Sequence, residues 1–287
     1  WGTSLASFDE VKPFRRKQAP NDRAWLDFCH WYIGSMTDYT QFWLRETRNG
    51  FPKGDIYVCT GGHAPAEHGS DFGEQCRIAA ELGCGVRITN EASNYADNFS
   101  LTRWVASGGR QYGAYYSFEP AGLVTPEGVP ARVYNATASG AKGLHYYYGN
   151  LFDSQQASDN FLRWGGEFKQ RNPKVEVFIY YPETSILLTK NDFLQHVQTL
   201  RDRFDFGYLS DKQILDGGLK QAKALVLLRG SVSEAPVWTA IVQYIRDGGL
   251  VLYADGMGRL RSVERDESAH EALFGAAKDL GKRRALT

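Results

Sequence analysis

The sequence predicts an α/β protein in two parts: half of an eight-stranded (β/α)8 barrel, followed by a doubly wound α/β domain. Three observations lead to this prediction. Four short apolar or aromatic runs recur about every 30 residues with helix-like stretches between them, which is the spacing of βαβ units. Polar residues follow each run. After Pro173 the strand-like runs become continuously apolar, as in parallel strands buried on both faces.

The first part, residues 1–172, carries the repeat. An amphipathic helix is predicted over 22–47, and four strand–helix units follow it. Strand, helix and strand in this order imply a parallel sheet with right-handed crossovers, and four units leave two open edges. The predicted strands are DIYVCT (55–60), GVRITN (85–90), GAYYSF (113–118) and GLHYYY (143–148), and the predicted helices are 71–82, 97–107, 127–139 and 158–171.

The second part, residues 173–287, begins after the turn Arg171-Asn172-Pro173 and is predicted to be incomplete. Gly248-Gly249 ends one of its helices, as a left-handed C-cap does. A polar, helix-like run closes the chain from Glu264. The predicted strands are 174–181, 224–228 and 250–253, separated by helices 190–204 and 234–247.

Composition excludes some functions and leaves others open. Lys plus Arg equals Asp plus Glu at 33 each, so no net field attracts nucleic acid or an anionic membrane. No apolar run reaches the roughly 18 residues of a membrane span. Aromatic residues make up 14% of the chain, which suits either packing or stacking on flat ligands. The four Cys lack metal-type spacing and are predicted to be buried free thiols, which favours a cytoplasmic location.

Polar residues stand where each predicted barrel strand ends. Because helix amino termini and loops converge at the carboxyl ends of barrel strands, chemistry collects there. A purely structural sheet does not need Glu or His at the same level of successive strands. The four strand ends are Thr60-Gly61-Gly62-His63, Thr89-Asn90-Glu91, Ser117-Phe118-Glu119 and Tyr148-Gly149-Asn150.

Glu119 is the first catalytic candidate. It closes an aromatic strand and precedes Pro120, which restricts the exit of the loop. Cleavage of a glycoside with retention needs two carboxyl groups about 5–5.5 Å apart, of which one attacks the anomeric carbon and the other protonates the leaving oxygen. The alternative is a loop or N-cap Glu without catalytic function.

Glu91 lies at the same level one strand earlier. Neighbouring strands are about 4.8 Å apart, so Glu91 and Glu119 are expected within interaction distance. Asn90 precedes it, and an Asn-Glu pair is what many glycosidases use for the acid/base. Substrate binding or support of the site is the preferred role for Glu91, with the acid/base role and a structural role as alternatives.

Two other motifs are interpreted as structural, and neither a metal nor a cofactor is expected. His63, Glu67, His68 and Asp71 are metal-ligand types, but Pro65 and Gly69 prevent a helix from aligning them. An N-cap at Ser70 or Asp71, with loop His lining a sugar pocket, is preferred. Leu228-Arg229-Gly230-Ser231 matches neither a Walker loop nor a nucleophile elbow. Since 151–287 contains no Cys, a thiol-dependent amidotransferase is excluded.

Four passages, in order, resemble the family 42 glycoside hydrolases, the β-galactosidase group of clan A. They are Trp1-Gly2-Thr3 with the run ending at Pro13, the helix from Trp25 to Arg45, the stretch Tyr115–Pro120 continuing through 128–148, and 174–256 with Leu209-Ser210-Asp211 and Tyr244-Ile245-Arg246-Asp247-Gly248-Gly249.

The resemblance implies a specific arrangement. Glu119 falls at the nucleophile position on the seventh barrel strand, so the four strands become the fifth to eighth. The acid/base Glu follows an Asn on the fourth strand, upstream of Trp1, and the chain is a fragment of a longer protein. The second part corresponds to a flavodoxin-like (amidotransferase-like) trimerisation domain, which implies a homotrimer. The last strand departs from the family: it ends Tyr147-Tyr148-Gly149-Asn150 where a Trp-containing run is common, as expected of a divergent subgroup.

The resulting hypothesis is a retaining hydrolase of a neutral, β-galactoside-type sugar. The alternative is a non-catalytic carbohydrate-binding or assembly protein of the same fold. Without an acid/base partner for Glu119, the reaction loses a rate acceleration of typically about 10²–10⁴-fold, so this chain alone is predicted to be inactive. The predicted sugar-binding residues are Asn90, Glu91, His63, Tyr116, Tyr148 and Asn150.

Overall fold

Two four-stranded parallel sheets, each with its own helices, divide the chain. The computed structural model describes residues 4–61, 66–89, 93–119, 124–145, 151–189, 193–254 and 257–279. Within these ranges, no helix is long and apolar enough to cross a membrane.

The first sheet has the order β1-β2-β3-β4, so each strand pairs with the next strand along the chain. The register is regular: Tyr57 lies opposite Gly85, and Gly85 lies opposite Tyr115. This is the strand order of a barrel wall, and the predicted partial barrel is confirmed. The strands are β1 (Tyr57–Gly61), β2 (Gly85–Thr89), β3 (Tyr115–Glu119) and β4 (Gly143–Leu144).

Helices alternate with these strands, and side chains at their amino ends satisfy the first backbone N–H groups. Asn21 caps α1, Asn94 caps α3 and Ser154 caps α5, each by accepting from a backbone N–H one turn on. Gly113 and Gly140 end α3 and α4 in the left-handed conformation that glycine adopts without strain. The helices are α1 (Asp22–Gly50), α2 (Phe72–Glu81), α3 (Tyr95–Tyr112), α4 (Gly128–Ser139) and α5 (Gln155–Trp164).

The guanidinium of Arg48 donates hydrogen bonds to several backbone carbonyls near the amino ends of β1 and β2. Arg48, in the last turn of α1, donates to the carbonyl oxygens of Gly54 at 2.8 Å and Leu82 at 3.1 Å. It also donates to Gly83 at 2.5 Å. One side chain therefore joins the end of α1, the loop before β1 and the turn after α2.

The second sheet has the order β6-β5-β7-β9, with all pairs parallel. In chain order this is 2-1-3-4, the beginning of the flavodoxin-like arrangement, as predicted. A two-stranded pair lies beside it, formed by β8 (Val232–Ser233) and β10 (Arg261–Ser262). The sheet strands are β5 (Val177–Tyr181), β6 (Gly207–Ser210), β7 (Ala224–Leu227) and β9 (Leu250–Tyr253).

The helices of the second part differ from prediction in one region. The single helix predicted over 190–204 is wrong: the structure has the short α7 and then a 3-10 helix, Gln198–Asp202. Strand β6 and helix α6 were not predicted from the residue pattern. The helices are α6 (Glu183–Leu188), α7 (Phe193–Val197), α8 (Asp211–Leu215), α9 (Ala235–Arg246) and α10 (Ser268–Asp279).

One apolar core crosses from the first part to the second. The Trp104 ring of α3 lies between Phe72 of α2, at 4.6 Å between centroids, and Tyr181 of β5, at 4.3 Å. Phe99 meets Phe206 edge to face at 5.4 Å. Because all of these rings are nearly fully buried, the two sheets are held by a shared core.

Candidate active site

The first sheet has one face against the helices and one face turned away from them. Val86, Ile88 and Phe118 are fully buried on the helix side, in the core with α2 and α3. Positions of the opposite parity lie on the other face, because successive side chains alternate along a strand. In the fold of a barrel this second face lines the lumen. Its residues form three levels, here called rungs, each made of register partners on neighbouring strands.

The lower rung, at the amino ends of the strands, is closed by aromatic side chains. Tyr57 and Tyr115 meet edge to face at 5.0 Å between centroids. The Tyr115 hydroxyl donates to the Ile56 carbonyl at 3.1 Å. Lys142 Nζ lies 4.1 Å from the Tyr115 ring centroid and 2.6 Å from Asp55 Oδ1, so the charge of Lys142 is balanced locally.

The middle rung consists of Cys59, Arg87, Ser117 and Gly143, which are register partners on the four strands. Arg87 Nη2 donates to Cys59 Sγ at 2.8 Å. Cys59 is exposed, whereas the other three Cys are buried free thiols as predicted. The Ser117 hydroxyl is fully buried, and within the described ranges it has no hydrogen-bond partner.

The upper rung, at the carboxyl ends, contains Gly61, Thr89, Glu119 and His145. The Cα of Thr89 pairs with that of Glu119, the last residue of β3. The side chain of Glu119 lies outside what the structure describes. The backbone N–H of His145 donates to the Phe118 carbonyl at 3.0 Å, which extends the β3–β4 ladder to this level.

In the middle rung, position 143 is too closely packed for any residue larger than glycine. A Cβ at position 143 would lie 2.9 Å from Ser117 Oγ and 3.0 Å from His145 Nε2. The Ser117 hydroxyl and the His145 imidazole therefore both approach a position that only glycine leaves open.

Five predicted sugar-binding residues lie outside the described residues, namely Asn90, Glu91, His63, Tyr148 and Asn150. Tyr116 is described, and its predicted place in the sugar site is wrong. It has the parity of the helix face and is 4% exposed, and its hydroxyl lies 3.4 Å from the Ala136 carbonyl of α4. Burial there raises its pKa.

Sequence reasoning missed Arg87, Ser117 and His145 as lumen residues. The alternation of the strands was the signal that could have found them. Ser117 stands two positions before Glu119, and Arg87 stands two positions before Thr89, the register partner of Glu119. Once Glu119 is assigned to the lumen, its parity assigns the others.

The predicted cap at the start of α2 is confirmed. Asp71 accepts a hydrogen bond from the backbone N–H of Glu74 at 2.9 Å. His63 lies outside the described residues, as does the side chain of Glu67. Among the side chains that are described, no three His, Cys, Asp or Glu groups are placed to hold a metal ion.

A second cleft, of about 430 Å³, lies between α1, α2 and the carboxyl end of the second sheet, and it is rich in carboxylates. Its lining includes Asp71, Glu74, Glu183, Asp211 and Lys212. Burial, with repulsion from Glu74, raises the pKa of Asp71 to about 6 despite the backbone hydrogen bonds it accepts.

Two further carboxyl groups in this cleft also have raised pKa values. Burial, with repulsion from Asp71 and Asp211, raises the pKa of Glu183 well above its usual value. Burial also raises the pKa of Asp211, although its carboxylate accepts from the Thr184 N–H at 3.1 Å and from the Tyr180 hydroxyl. The cleft therefore takes up protons more readily than exposed carboxyls do.

Comparison with known proteins gives similarity in structure alone. No protein-family profile and no curated protein sequence matches the chain. Among solved structures, the apo exo-carrageenase GH42 from Bacteroides ovatus superposes with a TM-score of 0.67 and 12% identity, over 98% of this chain and 48% of that one. A GH42 β-galactosidase from G. stearothermophilus gives 0.67 and 11%, over 93% and 46%.

A third solved structure, the β-galactosidase from the haloarchaeon Halorubrum lacusprofundi, gives a TM-score of 0.65 and 14% identity, over 90% of this chain and 47% of that one. The chain thus spans about half the length of the solved structures it matches. At these identities the likeness shows the fold, and the predicted resemblance to the family 42 enzymes is confirmed at that level.

Proposed function

We propose that this chain forms part of a retaining glycoside hydrolase of β-galactoside type, in which Glu119 is the nucleophile. One observation carries the proposal: Glu119 ends β3 at the carboxyl edge of a half-barrel sheet, opposite Thr89 and at the level of His145. In barrel enzymes catalytic residues stand at this edge. The fold shared with GH42 enzymes supports the same reading.

The proposed reaction uses two carboxyl groups. The Glu119 carboxylate attacks the anomeric carbon while a second carboxyl protonates the leaving oxygen, and the same group then activates water to release the sugar. Glu91 follows the neighbouring strand β2 in the sequence, but the resemblance assigns the acid/base to a Glu upstream of Trp1. We therefore propose that this chain alone does not turn over substrate.

The proposed sugar site combines the upper rung with the loops that follow it. Asn90, Glu91, His63, Tyr148 and Asn150 remain proposed sugar-binding residues, because each belongs to a segment that leaves the carboxyl end of a strand. The uncharged donors and acceptors predicted to line the subsite, together with the lack of a basic patch, led to the expectation of a neutral sugar.

Assembly is proposed from the resemblance. The second part, from about Pro173, corresponds to a trimerisation domain, and its parallel order β6-β5-β7-β9 supports that correspondence. Light scattering coupled to size exclusion should give three times the mass of one chain. A monomer at micromolar concentration would contradict the trimer without touching the catalytic proposal.

The test of the nucleophile uses the protein that carries this chain together with the preceding barrel strands. Glu119→Gly should abolish turnover of 4-nitrophenyl β-galactoside, and azide should restore it as the α-galactosyl azide. The control is Glu127→Gly at the exposed start of α4, which should turn over at the wild-type rate. Unchanged activity of the Glu119 variant would rule out the proposed nucleophile and favour a binding or assembly protein.

A further inference from the structure

We propose that an exposed apolar face of α1 and the open edge of β1 form one interface, covered by a helix and the parallel strand that follows it. Both belong to the polypeptide that precedes this chain. This interface goes beyond the proposed function and does not depend on the role of Glu119.

The helices of the first part form a row along the first sheet. Each of them packs against the next in chain order, so α1 and α5 are the two ends of the row. Large apolar side chains that are exposed collect at these ends. Six lie on α1 and two, Leu162 and Trp164, lie on α5, whereas α2 and α3 in the middle of the row have none. Apolar exposure therefore marks the ends of the row.

The six exposed side chains of α1 form one continuous face. At about 100° per residue their positions fall within an arc of about 140°, as wide as a helix face that packs on a core. A different face of α1, with Ile33 and Leu44, is already buried. The helix therefore has one more apolar face than this chain covers. The six residues are Trp31, Tyr32, Met36, Tyr39, Phe42 and Trp43.

A groove of about 480 Å³ runs between this face and β1. Helix α1 lines it with Met36, Tyr39 and Trp43, and β1 lines it with residues 57–60. The described lining contains no Asp, Glu, Lys or Arg, which favours an uncharged occupant. Gln75 also lines the groove, and its buried Oε1 has no hydrogen-bond partner in the described part of the chain. The occupant is expected to supply a donor for it.

The order of strands and helices indicates what the occupant is. Helices α2, α3 and α4 each connect two neighbouring parallel strands. Helix α1 leads into β1 in the same way, so a right-handed crossover would place the strand before α1 beside β1. The described residues that lead into α1, 4–21, form two 3-10 helices and no strand. The strand beside β1 therefore comes from outside this chain.

A second copy of the chain fits the same edge less well. It would have to offer β4, the other edge of the first sheet. Within the described residues β4 has two residues, whereas β1 has five, so this pairing would leave much of the β1 edge open. Because this chain spans about half the length of the solved structures it matches, a preceding segment is also long enough to supply the missing units.

Hydroxyl-radical footprinting tests the interface on the wild-type protein that carries this chain together with the preceding barrel strands. Mass spectrometry gives the oxidation rates of Met36, Tyr39 and Trp43, each relative to its rate in the urea-unfolded protein. A covered face should slow all three by at least about tenfold. The exposures of 36–58% found here would slow them by no more than about threefold, and that result would overturn the interface. Leu215 on α8, which is 48% exposed, is the matched reference.

Dilution distinguishes the two occupants. Protection by a preceding segment of the same polypeptide is intramolecular, so it should be equal at about 0.2 µM and about 20 µM protein. Protection by a second copy should weaken at the lower concentration. Protection that depends on concentration would therefore overturn the assignment to the preceding segment.

A substitution gives an independent readout. Met36→Glu should lower the thermal midpoint of the same protein by about 5 °C or more, because it places a charge in an apolar interface. Leu215→Glu, the control, should change it by less than about 1 °C. A Met36→Glu protein that fails to fold while the control folds would also support the interface, and equal midpoints would contradict it. If azide does not rescue Glu119→Gly but the face is protected, the catalytic assignment fails and the interface stands.

Discussion

Arg103 and Asp205 form an ion pair, with 2.9 Å between Nη1 and Oδ1, that joins the first part of the chain to the second. Arg103 lies on α3 and is 0% exposed, while Asp205 precedes β6. The same guanidinium donates to the carbonyls of Phe206 and Ala138, each at 3.1 Å. Burial lowers the pKa of Arg103 and the nearby Asp205 opposes that shift.

Replacing this guanidinium should destabilise the whole chain. Arg103→Met keeps much of the side-chain volume but leaves the Phe206 and Ala138 carbonyls without this donor, and it leaves Asp205 with Arg201, 3.0 Å away, as its remaining cationic partner. We expect a loss of about 3 kcal/mol in the free energy of unfolding, measured by urea denaturation. Arg163→Met, on the exposed face of α5, should change it by less than about 0.5 kcal/mol. Equal effects of the two substitutions would contradict a role for the buried pair.

The carboxylate cleft should make stability depend on pH. The folded-state pKa of Asp71 is about 6, above the ordinary 3.8, so the folded protein binds this proton more tightly than the unfolded chain. The free energy of unfolding should therefore fall as pH rises from about 4 to about 6, and stay low above that window. Glu183 and Asp211 shift in the same direction and add to the fall.

Asp71→Asn tests this pH dependence while keeping the cap, because Asn also accepts from the Glu74 N–H. It should raise the free energy of unfolding by about 2 kcal/mol at pH 7.5 and leave it nearly unchanged at pH 4. Asp202→Asn, at an exposed position, should have little effect at either pH. A gain of equal size at both pH values would show that ionisation of the buried Asp71 is not the cause.

The first part should not be stable alone. Ending the chain at Asn172 removes Tyr181 and Phe206 from the rings of Trp104 and Phe99, which lie 4.3 Å and 5.4 Å from them. Strands β1 and β4 remain the edges of the first sheet, as in the full chain, so the newly exposed core surface adds to edges that can pair with another chain. Residues 1–172 should aggregate or bind a hydrophobic dye under conditions in which the full chain does neither. A soluble monomer with a cooperative thermal transition would contradict both the shared core and the half-barrel.

Replacing each of two glycines by alanine should change the stability of the fold in opposite directions. A Cβ at Gly85 would lie 2.3 Å from the Tyr115 ring, so Gly85→Ala should destabilise the fold by about 2 kcal/mol. A Cβ at Gly34, inside α1, meets nothing within 4 Å, so Gly34→Ala should stabilise by about 0.5–1 kcal/mol. Thermal denaturation of both variants compares them directly, and a neutral Gly85→Ala would contradict the predicted clash with the Tyr115 ring and with its carbonyl oxygen, 2.6 Å from the added Cβ.

The repeat in the first part was predictable because glycine introduces each strand and amphipathic helices separate them. Strand β6 was missed, since Gly207–Ser210 is four residues long and has no β-branched member. The helix over 190–204 was predicted as an element that separates two strands, but this segment contains a 3-10 helix beside the shared core.

The sequence predicted that a strand ends at Glu119. The prediction did not use the alternation of side chains between the two faces of each strand. Tyr116 was chosen because it is an aromatic residue near Glu119, although its odd spacing from Glu119 assigns it to the helix side. Arg87 was passed over because it lies inside a predicted strand, and only the strand ends were considered for the site. A two-residue period, counted back from Glu119 and across the register, corrects both assignments.

The contacts of Arg48 have a consequence for how such a protein diversifies. Its guanidinium joins α1 to two backbone segments at the rim opposite Glu119, through the carbonyls of Gly54 and of the consecutive residues Leu82 and Gly83. Mechanical support at this rim is thereby separated from the rim at which Glu119 ends β3. Loops at the opposite rim can accept insertions and new side chains over evolutionary time without loosening the supporting rim, so this rim can change at little cost in foldability.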